Sequence, residues 1–308
     1  MKQLTNHIMM IRPANFGFND QTALNNSFQS KDNDVDSHSL KELARQEFDQ
    51  MVSILRSKGV NVMVIEDTEN PVKPDAVFPN NWISFHENGT LITYPMFAPN
   101  RRIERREDII EQLSKKFIVK NRYSFEFYED EGKIYLEGTG SMIFDRPNGI
   151  VYACLSQRTD ATLIDKFNVL MGTQSYVFTS VDRHEQDIYH TNVMMALGED
   201  FVVICMESIP DGESRKHLLQ LFERTEKEVI LITYDQMESF AGNMLEVKGS
   251  GDNRYLVMSQ TAFSSLTDEQ KERLSNHTNL LPVPIENIEK YGGGSVRCMM
   301  AEVFLPVI

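Results

Sequence analysis

Cysteine is scarce in this chain, with three residues in 308, at positions 154, 205 and 298. Thiols so few and so scattered exclude a disulfide framework, and no two have C-x-x-C spacing. There is no H-E-x-x-H and no nucleotide-binding motif, so neither a metal nor a cofactor is implied. No run approaches the ~18 apolar residues that would cross a membrane, and residues 1–13 lack the apolar core of a signal peptide. Basic residues are in deficit: 31 Lys and Arg against 45 Asp and Glu give a formal charge of −14, which repels nucleic-acid phosphates. The expectation is a soluble, cytoplasmic protein of a reducing compartment that acts on a small molecule, without a nucleic-acid or membrane partner. Nothing in the pattern reads out an oligomeric state.

What remains is the composition of a globular protein, 41% hydrophobic and 25% charged. Residues 8–11 and 61–66 read as apolar strands flanking a helix over 37–58, where Leu40, Leu43, Ala44, Phe48, Met51, Val52 and Leu55 recur at three- and four-residue steps. From there the chain rhymes. A polar motif runs into a strand, a tight turn returns it through a second strand, and a loop and helix follow. This happens over 78–94, 136–155, 189–205 and 240–258, with Asn-Gly turns in the first two copies. A charged helix is expected over 101–116 after the first copy. The glycine run at 292–294 opens what reads as a final, truncated copy.

The polar anchors of these units are Asp75, Glu137, His190, Asn243 and Cys298, separated by 62, 53, 53 and 55 residues. Such a period implies a circular α/β array of ββαβ units whose motifs converge on one centre, and hence a single catalytic domain over 1–308. A thiol, an imidazole and a carboxylate brought to one centre point to nucleophilic catalysis, because thiolate is the reactive form and an adjacent imidazole can move its proton. Cys154 and Cys205 sit inside apolar runs and read as inert.

At these residues the chain resembles the guanidino-group-modifying enzymes of the five-bladed α/β-propeller (pentein) fold: arginine deiminase, dimethylarginine dimethylaminohydrolase and the amidinotransferases. The resemblance runs through DAVF at 75–78, APNRR at 98–102, LEG at 136–138, SQRTD at 156–160, His190 and Cys298. With PNNW at 79–82 and FAGN at 240–243, it is strongest to bacterial arginine-deiminase-related proteins linked to citrulline utilisation. It implies that Cys298 attacks the central carbon, that His190 serves as acid and base, and that Glu137 stands beside His190. It also implies that Asp75 holds the amino-acid end of the substrate and that Arg101 and Arg158 meet its carboxylate, with Asn243 a ligand or a loop cap.

The chain departs from that pattern in two places. Asn192 stands where the deiminases and amidinotransferases have the aspartate of His-x-Asp, and Asn80 and Asn81 replace an acidic pair. An amide both donates and accepts, whereas a carboxylate only accepts. Asn81 and Asn192 thus suggest a neutral ureido substrate such as citrulline. The alternatives are an arginine deiminase or dimethylarginine-type hydrolase acting on a guanidinium, an amidinotransferase, or a non-catalytic propeller that binds an amino acid or a partner.

Overall fold

A computed structural model describes residues 1–23, 26, 28–30 and 36–308. Five three-stranded sheets share one topology, in which a first strand pairs antiparallel with a second and the second pairs parallel with a third. They are Ile83–Phe85, Thr90–Thr93 and Asn121–Ser124; Ile143–Asp145, Ile150–Cys154 and Gln174–Phe178; Met195–Leu197, Phe201–Ile204 and Glu228–Leu231; and Leu245–Lys248, Arg254–Ser259 and Asn279–Val283. The fifth joins the two ends of the chain: Ala301–Glu302 lies antiparallel to His7–Arg12, which lies parallel to Asn61–Glu66. The final copy is therefore not truncated. Its missing strands come from the start of the chain.

Each parallel connection carries a helix, as a parallel crossover requires. Helix Ser37–Ser57 starts where Asp36 accepts from the His38 and Ser39 amides. Its Leu40, Ala44, Phe48, Met51, Val52 and Leu55 are buried against the fifth sheet and the helix Glu286–Gly292. Middle strands such as Ile150–Cys154 and Phe201–Ile204 are buried throughout, which is why they read as unbroken apolar runs. Ala301–Glu302 touches Ile83–Phe85, Met195–Leu197 touches both Ile143–Asp145 and Leu245–Lys248, and the short turns preceding several first strands touch one another at the centre.

One expected element is broken. In place of one helix over 101–116 there is a single turn, Pro99–Arg102, and a separate helix, Glu107–Ser114. Ile109, Ile110 and Leu113 face the core, while Arg101 and Glu104 are buried as a pair towards the centre. A straight helix does not aim both sets inward, and the chain turns between them.

Candidate active site

Glu137 and His190 are N-cap residues of two equivalent one-turn helices, Gly138–Ser141 and Thr191–Met194. The equivalent N-cap of Val296–Met299 is Ser295, so Cys298 lies one turn further in than the sequence spacing suggests. Asp75 likewise lies upstream of its turn, Pro79–Asn81. The ring brings the anchors together without making them strict copies.

His190 Nε2 is 2.8 Å from Glu137 Oε2, and both side chains are buried. Glu137 Oε1 accepts from the Phe97 amide, and Arg158 Nη1 lies 3.6 Å from Oε2. Burial raises the Glu137 carboxyl, but Arg158 and His190 outweigh it and hold it down at about 2. Burial lowers His190 to about 4 despite the hydrogen bond to Glu137, so the ring is neutral at pH 7. An ionised Glu137 needs a donor, which places the neutral ring's proton on Nε2 and leaves Nδ1 as its basic nitrogen. A Cβ on Gly140 would lie 2.8 Å from that Nδ1 and 2.4 Å from Asn81 Nδ2. Glycine is what leaves the basic nitrogen uncovered.

Cys298 Sγ receives two amides, Asn243 Nδ2 at 3.3 Å and Asn192 Nδ2 at 3.4 Å. Both asparagines, read from sequence as substrate contacts, are thus placed on the sulfur. Asp75 Oδ2 accepts from Asn19 Nδ2 and Thr22 Oγ1, whereas Oδ1 is buried without a partner; burial raises this carboxyl, against Arg101. Arg101 forks onto Glu104 through Nε and Nη2, at 2.9 Å each, and reaches Asn81 Oδ1 at 2.9 Å and the Phe78 carbonyl at 3.0 Å. Arg158 donates to the Thr22 carbonyl and lies 4.8 Å over the Tyr189 ring.

A small cavity is lined by Asp75, Asn81, Arg101, Arg158, His190 and Cys298, with the backbone of 292–294 on one side. The glycine run serves as wall. Tyr189 Oη and Asn26 Nδ2 donate to the Gly293 carbonyl, Gln29 Nε2 donates to that of Gly292, and a Cβ at Gly293 would sit 2.6 Å from Asn26 Nδ2. Sequence reasoning missed Glu104, Tyr189, Asn19 and Thr22. Glu104 had a signal, three residues beyond Arg101 on a helical stretch. Asn19 and Thr22 lie in an aperiodic loop and had none. Among the described residues no group of three or more His, Cys, Asp or Glu could hold a metal ion, and no helix is long and apolar enough to cross a membrane.

No functionally curated protein matches this sequence. Among solved structures, the substrate-bound N-terminal domain of ArgZ, described as an arginine dihydrolase from the ornithine–ammonia cycle in cyanobacteria, superposes with a TM-score of 0.75 at 15% identity. The match covers 98% of this chain and 99% of that one, and this chain corresponds to 41% of the longer ArgZ chain. A variant of AgrE in complex with L-arginine gives 0.74 at 16% identity, covering 98% of this chain and 40% of that one. A dimethylarginine dimethylaminohydrolase variant, as its adduct with S-methyl-L-thiocitrulline, gives 0.61 at 16%, covering 97% and 99%. These likenesses establish the five-bladed α/β-propeller fold. The family model described as N,N dimethylarginine dimethylhydrolase, eukaryotic, matches residues 12–305, nearly the whole chain. The protein therefore belongs to that family of amidino C–N hydrolases, within the guanidino-modifying pentein superfamily.

Proposed function

We propose that the protein hydrolyses an amidino C–N bond of arginine or an N-substituted arginine, with Cys298 as nucleophile, His190 as proton carrier and Glu137 as its orienting carboxylate. The observation that carries the reading is one cavity with the Cys298 sulfur and a Glu137-bound neutral imidazole in its wall. As sulfur attacks the guanidino carbon, Nδ1 of His190 takes the thiol proton and Glu137 stabilises the imidazolium that forms. That proton leaves with the departing amine, and an S-amidino intermediate remains. His190 then draws a proton from water, the oxygen adds to the same carbon, and the sulfur departs and recovers its proton, giving a ureido product. Asp75, through its unpartnered Oδ1, would receive donors of the substrate, with Arg158 and the remaining Nη1 hydrogen of Arg101 facing its carboxylate.

The guanidino reading is favoured over the ureido preference suggested by Asn81 and Asn192. The family match supports it, and so does the hydrogen bonding of Asn192, whereas Asn81 accepts from Arg101 and leaves its donor Nδ2 unpartnered. Asn192 spends its donor on Cys298, so the atom it leaves unpartnered is the acceptor Oδ1. Asp75 Oδ1 is a second unpartnered acceptor. A guanidinium, which carries only donors, suits two acceptors better than a ureido carbonyl does. The purified protein should release ammonia or an alkylamine from arginine or N-methylated arginines at least tenfold faster than it degrades citrulline. Turnover of citrulline alone would restore the ureido reading. Undiminished turnover by Cys298→Ser would remove the nucleophile assignment.

A further inference from the structure

We propose that Asn192 and Asn243 form an amide clamp whose two Nδ2 donors stabilise the negative charge that Cys298 carries as nucleophile. The inference rests on the nucleophile role proposed above and deepens it. The need for such a clamp follows from the surroundings. The sulfur is buried, away from the water that would otherwise solvate a charge on it. A cysteine nucleophile is commonly activated by an adjacent imidazolium, but here the imidazole is neutral at pH 7 and bonded to Glu137. The sulfur belongs to a helix of only four residues, Val296–Met299, too short for its dipole to supply much. The donors aimed at Sγ among the described residues are the two amides.

The orientation of Asn243 is imposed. The Arg297 N–H donates to Asn243 Oδ1 at 3.1 Å, so the other end of that amide, Nδ2, faces the sulfur. Asn243 Nδ2 also donates to the Asn192 carbonyl at 2.9 Å, which ties one asparagine to the other. The residue that fixes the amide is therefore the chain neighbour of the residue it serves. Gly242 permits the approach, because a Cβ there would lie 2.1 Å from the Val193 carbonyl oxygen, one residue beyond Asn192. A neutral donor pair also suits a cationic substrate. It stabilises the thiolate without adding positive charge where a guanidinium must sit, and it leaves Asn192 Oδ1 to accept from that guanidinium.

Ionisation of the thiol is read without turnover from the thiolate absorbance near 240 nm, as the difference between each protein and its Cys298→Ser counterpart across pH 5 to 10. Cys154 and Cys205 cancel in that difference. Asn192→Ala is the cleaner variant, since its side chain braces nothing but the sulfur. Asn243→Asp keeps the shape of the second amide while replacing its donor with an acceptor. The Cys298 transition should move to higher pH by about one unit in Asn192→Ala, and further in Asn243→Asp. At neutral pH, kcat should fall about tenfold in Asn192→Ala and recover as pH rises. Transitions that superimpose on wild type in variants of unchanged thermal melting would overturn the clamp. If either variant fails to fold, the other carries the same test. Failure of the clamp stays distinguishable from failure of the nucleophile assignment, which is decided by turnover in Cys298→Ser.

Discussion

At the scale of single residues, two buried histidines set the acid limit of the fold, His86, which burial holds well below the ordinary value, and His190. The folded value of His190, about 4, lies below the ordinary 6.5, with burial as the first cause. Between those two values the unfolded chain binds more protons than the folded one, so stability rises with pH there. Read downward, stability present above pH 6.5 is lost as the pH falls through 4. Glu137, held at about 2 against an ordinary 4.5, continues the loss below pH 4.5. The His190 contribution is on the order of 3 kcal/mol, from about 1.4 kcal/mol per unit. Urea unfolding at pH 7, 5.5 and 4 should show the loss in wild type, and His190→Asn should flatten part of it, the remainder belonging to the buried His86. Equal slopes in the two proteins would mean that His190 titrates in the fold as it does in the unfolded chain. The central place of this residue was legible from the repeat, but its neutrality was not, because burial is a tertiary property that no spacing displays.

At the scale of elements, the interrupted stretch 99–114 shows where local pattern gives way to the demands of the centre. In the charged helix expected over 101–116, Arg101, Arg102, Arg105 and Arg106 share one face, with Arg101 also expected at the substrate carboxylate. Instead Arg101 is buried with Glu104, Arg105 forks onto Glu129, and Arg106 pairs with Asp108 and lies 3.5 Å from Asp67. Arg102 lies 3.6 Å from the same Glu129 and 3.3 Å from Asp130. The four arginines thus have different fates: Arg101 and Arg106 pair with acids close in sequence, whereas Arg102 and Arg105 pair with acids brought in by tertiary structure. The buried pair is the sensitive one. Burial raises Glu104 to about 7 even with Arg101 beside it, so the carboxylate is retained at a cost. Glu104→Ala removes both oxygens from the Arg101 fork and leaves a buried guanidinium short of its counter-charge, a change of about 3–5 kcal/mol in other proteins. Glu104→Gln keeps one acceptor and should cost less. The ordering Ala below Gln below wild type, measured by chemical unfolding, is the expected result. An Ala variant as stable as wild type would show that Asp75, 3.8 Å from Arg101 Nε, suffices alone.

At the scale of the whole molecule, the repeat was legible because each copy carries its own turn signal and apolar second strand. Its closure was hidden, since strands at opposite ends of a sequence leave no mark of their pairing. Ile8 pairs with Glu302 and Met9 with Ala301, and the Val303 amide donates to the His7 carbonyl. Val303, Phe304 and Leu305 are buried behind that seam. At about 1.5–3 kcal/mol for each large apolar side chain, the segment contributes an amount comparable to the 5–15 kcal/mol that typically separates folded from unfolded chains. Deleting residues 301–308 keeps Cys298, His190 and Glu137, yet it removes the first strand of the fifth sheet. The expected outcome is loss of cooperative unfolding and of turnover together. A circular permutant that joins Ile308 to Met1 through a short Gly-Ser linker, and opens the chain between Asn148 and Gly149, tests the same idea from the other side. It severs a hairpin turn but preserves every strand, and it should fold and turn over substrate. If the deletion variant unfolds as wild type does, the ring is held by its other four sheets and the first strand of the fifth is dispensable. If the permutant fails while the deletion survives, the order of the chain matters more than the closure of the circle.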